Sequence, residues 1–549
     1  MLNRLKSAVS GAVEGLEGSR SGSSRAQANP GPPKHEYSRP SFMKLPEIAL
    51  SISKDKKVRP ILSASSSSPL PYNSGYAECV NAGKSSFNED MAQLYHGTLK
   101  CNISDFEEAI LPYAYYAIFD GHAGYGASLD ASKQLHHILH QKLVNSMDII
   151  FASLKTPAQP KTIDRKTIII GCLEAAFVEM DEIIGETQTM NFQNPGGCTA
   201  LVALFMLGDL YIANAGDCRA GICDNGKFVQ ISNDFSPFYD KERIYRKASE
   251  NPSLLGNGYN IREYYDVPSR DNLGKMVLYK EPYMKGWSYK TLTVDDLKTP
   301  LITGTGRRSR IMGTIGVARG FGDFELSSIH HKVPIKPLLS CIPEVTVYSQ
   351  TDLVTNYAVL IMASDGLWDA VDPSDVADIC CDLNLSTMND LNKYVTVAMN
   401  LVAAARGRKN HVTNMWMLKN SNQASVDDIS VFVIPFQPYA YKRCEIITKT
   451  LPKVLWPMNV YESDSGEPEE QMDMDQISND GTEITQVAEL DEVLNELLVV
   501  KFERDILEDD AQRLRDIAEN EVQVKCEVDS PEKSTDEDFN NKRSHSDTE

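Results

Sequence analysis

Residues 199–214 read TALVALFMLGDLYIAN. The runs 199–206 and 210–214 are rich in aliphatic and aromatic side chains, a composition that favours β-strands. Leu207, Gly208 and Asp209 separate the two runs, and a glycine next to an aspartate at such a point is typical of a tight turn. The stretch therefore predicts an antiparallel hairpin.

Strands are also predicted elsewhere between residues 112 and 436, at 113–119, 357–362 and 429–434, where they alternate with helical patterns. Several of these runs are followed at once by an acid in a glycine-containing turn, namely Asp120, Asp217 and Asp365. Asp427 and Asp428 instead stand just before a strand. Because loops at strand ends are where rigid scaffolds present functional groups, these acids could converge on one rim.

Converging carboxylates repel one another and resist losing their water. Hard divalent cations such as Mg²⁺ or Mn²⁺ relieve that repulsion, since they prefer oxygen ligands. An isolated Asp-Gly pair, however, is also an ordinary turn former. Spacing alone leaves both interpretations open.

The composition limits the compartment and the partners. Of the 549 residues 42% are hydrophobic, no apolar run approaches the length of a membrane span, and the N-terminus lacks the pattern of a secretory signal. Eleven scattered cysteines fit reduced thiols better than a disulfide framework. We therefore expect a soluble, cytoplasmic protein.

The net charge of −21 is concentrated at the C-terminus, because residues 462–549 contain about 29 acidic and 8 basic residues. The rest of the chain is close to neutral, so nucleic-acid binding through a basic face is not supported and no nucleic-acid partner is expected. We expect residues 441–549 to form an acidic tail with a helical island near 487–518.

The N-terminal 70 residues divide into two parts. At helical spacing one arc of residues 1–18 is apolar, which predicts an amphipathic helix able to contact a membrane surface peripherally. That arc consists of Leu2, Leu5, Val9, Ala12, Val13 and Leu16. Residues 19–70 are rich in Ser, Gly, Pro and basic side chains, which predicts a disordered segment. A folded domain is expected over residues 71–440.

Seven short motifs occur in order along that domain: Glu89-Asp90, Asp120-Gly121-His122-Ala123-Gly124, Gly197-Cys198-Thr199-Ala200, 213–220, 317–323, 363–369 and Asp427-Asp428. Together they resemble the ordered motifs of the metal-dependent protein phosphatases, the PPM or type 2C family. The sequences around Glu89 and Asp427 are similar to those of the subgroup that contains protein phosphatases 1H, 1J and 1M.

The resemblance implies an α+β fold, a four-layer αββα sandwich of two antiparallel β-sheets flanked by helices, with flexible N- and C-terminal extensions. It places the metals in a cleft at one end of the sandwich. It further implies a protein serine/threonine phosphatase that hydrolyses phosphoserine and phosphothreonine in phosphoprotein substrates.

Carried over by position, the resemblance implies two Mg²⁺ or Mn²⁺ ions. Asp120 would bridge them and the Gly121 carbonyl would bind one of them; Glu89 and Asp90 would hold the second ion, and Asp365 and Asp427 the first. Asp217 and Asp369 match the acids that support a weaker third ion.

The implied reaction starts from a water that bridges the cations and loses a proton, and the resulting hydroxide attacks phosphorus. His122 resembles the general acid that protonates the leaving oxygen.

Two positions depart from the family pattern. Ser85 stands where an arginine usually binds the substrate phosphate, and Lys84 beside it could substitute as a point charge. Asp428 stands where an asparagine is usual, and it could tighten metal binding or face solvent.

Residues 234–313 correspond to the flap beside the cleft, a candidate element for substrate selection with several basic residues, Arg307 among them.

Three other functions compete with this hypothesis. A pseudophosphatase would have kept the fold without turnover, and the missing phosphate-binding arginine is its only support. A cysteine-based phosphatase or a nucleotide-binding enzyme would need motifs that the chain lacks. A pure interaction protein acting through its tail would leave the aspartates unexplained.

Overall fold

The computed structural model describes residues 39–53, 58–64, 69–80, 84, 88–102, 107–155, 163–191, 196–349, 358–382, 392–410, 412–413, 415–420, 422–440 and 445–448. The predicted helix at residues 1–18 and the predicted island at 487–518 lie outside these residues.

The strands are, in chain order, β1 Ile61–Ser63, β2 Gly75–Cys79, β3 Met91–Asn102, β4 Glu107–Phe119, β5 Gly121–His122, β6 Gly197–Cys198, β7 Ala200–Met206, β8 Asp209–Ala215, β9 Arg219–Asp224, β10 Lys227–Gln230, β11 Tyr259–Asn260, β12 Glu263–Tyr264, β13 Met276–Lys280, β14 Ser288–Thr291, β15 Thr299–Pro300, β16 Ile302–Thr303, β17 Arg310–Ile311, β18 Phe321–Gly322, β19 Glu344–Ser349, β20 Val359–Ala363, β21 Arg408–Lys409, β22 Trp416–Met417, β23 Ile429–Pro435 and β24 Glu445–Thr448.

The α-helices are α1 Glu47–Ser53, α2 Gly126–Asn145, α3 Met147–Lys155, α4 Arg165–Asn191, α5 Lys241–Glu250, α6 Asp365–Trp368, α7 Pro373–Asp382, α8 Lys393–Arg406 and α9 Gln437–Ala440. Short 3₁₀ turns occur at Ser41–Met43, Pro71–Asn73, Pro252–Leu255, Arg270–Asn272, Val294–Leu297 and Gly306–Arg308.

Two large antiparallel sheets form the centre of the domain. The first has the order β1-β2-β23-β20-β9-β10. The second has the order β19-β8-β7-β4, and both β3 and β24 pair with β4. One apolar cluster fills the space between the sheets, a second lies between the second sheet and helices α2 to α4, and a third lies between the first sheet and helices α7 and α8. The predicted four-layer αββα sandwich is therefore confirmed.

The hairpin predicted at 199–214 is present as β7 and β8. All seven residues of β7 are buried, because alternate side chains enter the two apolar clusters on either side of the sheet. Leu207 and Gly208 both have positive φ, at 55° and 76°. That geometry matches the twist of a two-residue hairpin turn and explains why a glycine is needed there.

The prediction of disorder over residues 19–70 is wrong for the later part of that segment. Strand β1 pairs with β2, and the Met43 side chain is completely buried between the two sheets. The Phe42 ring contacts the Tyr76 ring at 5.1 Å. The segment is rich in serine and basic side chains, but its few apolar side chains hold it against the domain because they pack into the apolar core.

The domain also extends beyond the predicted boundary at residue 440. Strand β24 pairs antiparallel with the first residues of β4, with Glu445 opposite Ile110 and Thr448 opposite Glu107. The backbone of β4 is thereby paired on both edges. Among the described residues, no helix combines the length and the hydrophobicity that crossing a membrane requires.

The burial of Met43 leads to a stability prediction. Met43→Ala should lower the free energy of unfolding by about 2–4 kcal/mol, since truncation leaves a cavity between two packed sheets. Ile48→Ala is the matched control, because Ile48 is 74% exposed and its loss should change stability by less than about 0.5 kcal/mol. Urea denaturation measures both, and equal values for the two variants would contradict the packing of this segment.

Candidate metal centre and active site

The predicted acids lie at one end of both large sheets because of the antiparallel pairing. In the second sheet, Met91 at the start of β3 lies opposite Phe119 at the end of β4. Glu89 and Asp90, which precede β3, therefore lie at the same edge of the sheet as Asp120, which follows β4. In the first sheet, Ala363 near the end of β20 lies opposite Val431 near the start of β23. This register places Asp365 and Asp427 at the same edge.

Hydrogen bonds tie the acids of the two sheets together. The backbone N–H of Asp365 donates to Oδ2 of Asp120 over 3.4 Å. Oδ2 of Asp428 accepts the backbone N–H of Glu89 at 2.7 Å and, more weakly, that of Asp90 at 3.4 Å. Asp428 is buried, so the alternative that it faces solvent is wrong. Its carboxylate instead holds the Glu89-Asp90 loop against the other sheet.

Neighbouring polar groups orient the individual carboxylates. The Ser364 hydroxyl donates to Oδ2 of Asp90 at 2.7 Å, and the Gly124 N–H donates to Oε1 of Glu89 at 2.7 Å. Gly121 has no room for a side chain, since a Cβ atom there would lie 2.5 Å from the Glu89 carbonyl oxygen. The close approach of these two loops therefore requires glycine.

Burial and mutual repulsion raise the pKa values of several acids at this edge. Burial, together with the negative charges of Asp365 and Asp90, raises the pKa of Asp120 well above its ordinary value. Burial and Asp428 raise the pKa of Asp90 to about 8, and burial and Asp365 raise the pKa of Asp217 to about 7. The Asp369 side chain is 61% exposed, and the nearby charge of Asp365 contributes to its raised pKa. A bound cation would therefore relieve the repulsion at this site.

The donor set fits a hard divalent cation. Within the described part of the chain, no three acidic, histidine or cysteine side chains have the spacing of an assembled metal centre. The Oδ1 atom of Asp365 is nevertheless buried, and it has no hydrogen-bond partner among these residues. A buried carboxylate oxygen in that state, surrounded by further carboxylates, is the environment that Mg²⁺ and Mn²⁺ prefer.

Lys84 is a basic residue in direct contact with one of these acids. Its ammonium group forms an ion pair with the Asp427 carboxylate. Burial disfavours the charged ammonium, but Asp365 and Asp120 outweigh that effect and raise the pKa of Lys84. Ser85, the other predicted phosphate-binding residue, lies outside the described residues.

His122 contacts an acid to which the sequence analysis assigned no role. Its Nε2 atom lies 2.8 Å from Oδ2 of Asp323. Burial alone would lower the pKa of His122, but the charge and the hydrogen bond of Asp323 outweigh it, so the pKa is raised. The raised pKa favours the protonated imidazolium, which is the form that a general acid needs.

A small three-stranded sheet of β18, β6 and β5 explains this contact. It pairs His122 with Gly197 and Gly197 with Gly322, so three of the sequence motifs meet there. A Cβ atom on Gly197 would lie 2.3 Å from the Asp323 carboxylate. Asp323 also has a positive φ of 60°. The position of Asp323 inside an ordered motif is the signal that could have identified it.

The flap contributes one arginine to the rim of the site. Nη1 of Arg307 donates to Oδ1 of Asp369 at 2.8 Å, and Nη2 lies 3.5 Å from Oδ2 of Asp234. Arg243, in contrast, bonds to Asp240 and to two backbone carbonyls, so it holds the flap rather than facing the site.

Comparison with known proteins agrees with this geometry. A family model described as protein phosphatase 2C matches residues 81–245 and 302–412. The chain therefore belongs to the protein phosphatase 2C family, and it is a metal-dependent protein serine/threonine phosphatase.

The curated relatives place it in the predicted subgroup. Protein phosphatase 1H of Xenopus tropicalis is 36% identical over 510 residues, which cover 80% of this chain and 99% of that protein. Human protein phosphatase 1H is 36% identical over 510 residues, covering 79% and 98%. Protein phosphatase 1J of Rattus norvegicus is 36% identical over 438 residues, covering 73% and 85%.

The raised pKa values predict how stability depends on pH without metal. A carboxyl group whose pKa is higher in the folded protein stabilises the fold fully below its unfolded pKa of about 4, and that contribution is lost as pH rises through the folded value. In EDTA, unfolding free energy should therefore fall by at least about 2 kcal/mol between pH 5 and pH 8.

Thermal unfolding in EDTA across that range measures the effect. Asp90→Asn should flatten the curve, since it removes the group whose folded pKa is about 8. Added Mg²⁺ should raise the midpoint most at pH 8. A metal-free protein that becomes more stable towards pH 8 would contradict the electrostatic description of the site.

Proposed function

We propose that this phosphatase hydrolyses phosphoserine and phosphothreonine in proteins with two divalent cations, Mg²⁺ or Mn²⁺, and that Asp217 and Asp369 support a weaker third. The observation that carries the proposal is the pair of buried acids with raised pKa values, Asp120 and Asp90, where two sheets end. It is joined by Oδ1 of Asp365, which has no hydrogen-bond partner among the described residues. Bound cations would lower the pKa of a water enough for it to attack phosphorus near neutral pH.

The proposed ligands divide between the two sheets. Asp120 would contact both ions, and the Gly121 carbonyl would contact one of them. Asp365 and Asp427 would hold the first ion. Glu89 and Asp90 would hold the second, and their orientation is supported by the hydrogen bonds from Gly124 and Ser364.

The chain itself supplies the proton for the leaving group. Asp323 holds the His122 ring through Nε2 and raises the pKa of His122, which favours the imidazolium form. A seryl or threonyl oxygen develops negative charge as the bond to phosphorus breaks, and a proton from His122 would neutralise it. Asp323 acts here as a positioning residue.

Lys84 is proposed to attract the substrate phosphate as a point charge. The Lys84 ammonium group already forms an ion pair with the Asp427 carboxylate. A lysine cannot make the two parallel hydrogen bonds of an arginine, so this contact would hold the phosphate less rigidly. The presence of every proposed acidic ligand argues for turnover and against a pseudophosphatase.

Hydrolysis of a phosphothreonyl peptide should require Mg²⁺ or Mn²⁺ and should stop in EDTA, because in the proposed mechanism the bound cations make water nucleophilic at pH 7. Asp120→Ala and Asp365→Ala should each lower kcat by at least about a hundredfold. Circular dichroism should show both variants folded, since removing one carboxylate relieves repulsion. Full activity in EDTA, or in Asp120→Ala with Mg²⁺ present, would refute the metal-dependent mechanism.

Two substrates with different leaving groups can distinguish a general-acid role of His122 from a structural role. His122→Gln should lower kcat on a phosphothreonyl peptide about a hundredfold and on p-nitrophenyl phosphate only slightly, since nitrophenolate leaves without a proton. Asp323→Asn should shift the basic limb of the pH profile to lower pH, because His122 loses the charge that raises its pKa. Equal losses on both substrates would show that His122 is structural.

We also propose a cytoplasmic location with peripheral contact to internal membranes through residues 1–18. None of the nine cysteines that the structure describes forms a disulfide, which supports a reducing compartment. The apolar arc of residues 1–18 supports the membrane contact, with Arg4 and Lys6 flanking it towards anionic head groups.

A peptide of residues 1–18 should gain helicity when anionic vesicles are added, and the full chain should sediment with them. Leu5→Glu combined with Val9→Glu should abolish both effects. Sedimentation that is unchanged in this double variant would show that another part of the chain binds the vesicles.

A further inference from the structure

Helix α4 packs against the second sheet, and one side of it also reaches the segment that carries Asp323. The residues on that side are Phe177, Asp181, Gly185 and Gln188. They follow one another at intervals of four, four and three residues, which places them along one side of a helix. All four are buried. We call the chain they contact, residues 321–324, the Asp323 segment.

The Asp181 carboxylate binds the backbone of the Asp323 segment. Its Oδ1 atom accepts the Gly322 N–H at 2.9 Å and a hydrogen bond from the Lys336 ammonium at 2.7 Å. The Cys341 thiol also forms a hydrogen bond with Asp181. A hydrogen bond from a backbone N–H to a charged carboxylate is stronger than one to a neutral acceptor. Asp181 therefore holds the backbone immediately before Asp323.

Gln188 holds the same segment through the neighbouring strand of the small sheet. Its Nε2 atom donates to the Gly196 carbonyl at 2.7 Å, and the same carbonyl accepts the Asp323 N–H at 3.0 Å. A Cβ atom on Gly322 would lie 2.6 Å from that carbonyl oxygen and 3.2 Å from the Gln188 Nε2 atom. The side-chain amide, the carbonyl and the backbone before Asp323 are therefore packed closely together.

Two aromatic rings complete the contact between the helix and the Asp323 segment. The centre of the Phe321 ring lies 5.1 Å from that of the Phe177 ring. The Phe324 ring lies against Gly185, where a Cβ atom would come within 2.6 Å of it. The Lys336 ammonium lies 4.5 Å from the centre of the Phe324 ring. Helix α4 thus fixes the segment on both sides of the aspartate.

The backbone conformation of Asp323 requires this support. Its φ of 60° lies in the left-handed region, which residues other than glycine seldom adopt. Such a conformation persists where the surrounding structure determines it. From this backbone, Oδ2 of Asp323 lies 2.8 Å from Nε2 of His122. Because a hydrogen bond weakens steeply as its distance and angle depart from the optimum, a small shift of the segment would release the imidazole.

We propose that Asp181 and Gln188 are positioning residues for the general acid: they hold the backbone of Asp323 so that its carboxylate orients the His122 imidazole towards the leaving oxygen. This inference rests on the proposed function, in which His122 protonates that oxygen. The hydrogen bonds that carry it end on Gly322 and Gly196, neither of which is a proposed metal ligand. Their loss should therefore impair proton donation before it impairs metal binding.

The test uses the leaving group to separate a loss of proton donation from a loss of structure. Full-length variants with Mg²⁺ are assayed on a phosphothreonyl peptide, whose leaving oxygen needs a proton, and on p-nitrophenyl phosphate, whose nitrophenolate does not. The quantity compared is the ratio of the two kcat values, peptide over p-nitrophenyl phosphate. Loss of folded protein or of bound metal lowers both rates and leaves this ratio unchanged, whereas a misplaced His122 lowers it.

Asp181→Ala and Gln188→Met should each lower the ratio about tenfold. Asp181→Asn should restore most of it, because the amide oxygen can still accept the Gly322 N–H. Glu182→Ala is the matched control, since Glu182 is an exposed acid on the same helix, and its ratio should equal that of wild type.

Circular dichroism establishes that each variant is folded. An unchanged ratio in folded Asp181→Ala or in Gln188→Met would overturn the proposal, and so would a loss in Asp181→Asn as large as that in Asp181→Ala. If Asp181→Ala does not fold, Gln188→Met decides alone, because it keeps the size of the side chain and removes only the amide.

Double variants test whether the two residues act through His122. Adding Asp181→Ala to His122→Gln should lower the peptide kcat less than about twofold further, because the general acid is already absent. A further tenfold loss would overturn the proposal. Equal losses of His122→Gln on both substrates, or a wild type that does not hydrolyse p-nitrophenyl phosphate with Mg²⁺, would refute the proposed function and this inference with it. A lowered ratio in His122→Gln but not in Asp181→Ala would refute this inference alone.

Discussion

Repulsion among buried carboxylates is the constraint on which the catalytic end of this protein depends. Asp120, Asp90 and Asp365 lie close enough for each to disfavour the charge of another, and burial strengthens the effect. Such an arrangement forms only if the rest of the fold holds it in place. The two large sheets do so through three apolar layers, and the free energy of that packing opposes the repulsion.

The antiparallel register of the strands determines which acids become neighbours. Each sheet brings a strand end and a neighbouring strand start to the same edge, so acids that are far apart in sequence become neighbours in space. Asp428 then joins the edges, because its carboxylate accepts N–H groups from the opposite loop. An asparagine at that position would offer one acceptor oxygen without the charge. The chain therefore has an additional carboxylate behind the proposed metal ligands.

Local patterns and ordered motifs predicted much of this from sequence, but not the contacts that depend on the assembled fold. The 199–214 hairpin was predictable because its apolar runs and its turn are both local signals. The convergence of the acids followed from family resemblance, since each Asp-Gly pair alone is ambiguous. Met43 and strand β24 were missed because isolated apolar residues and a short edge strand gain stability only from a core that composition does not reveal. The pairing of His122 with Asp323 was missed for the same reason: it requires the small sheet that joins three motifs.

The flap is held in place by contacts of its own. It has its own apolar cluster, and Asp240 anchors it by accepting hydrogen bonds from Arg243 at 2.6 Å and Arg319 at 3.1 Å. The guanidinium of Arg319 also lies 3.8 Å from the centre of the Phe235 ring. Because these contacts do not involve the acids at the metal site, the surface of the flap can change without altering their spacing or their pKa values. Asp234 and Arg307 are exceptions. The charge of Asp234 contributes to the raised pKa values of Asp217 and Asp369. Arg307 bonds to Asp369, so a ligand that moves this arginine would also change the charge balance around Asp369.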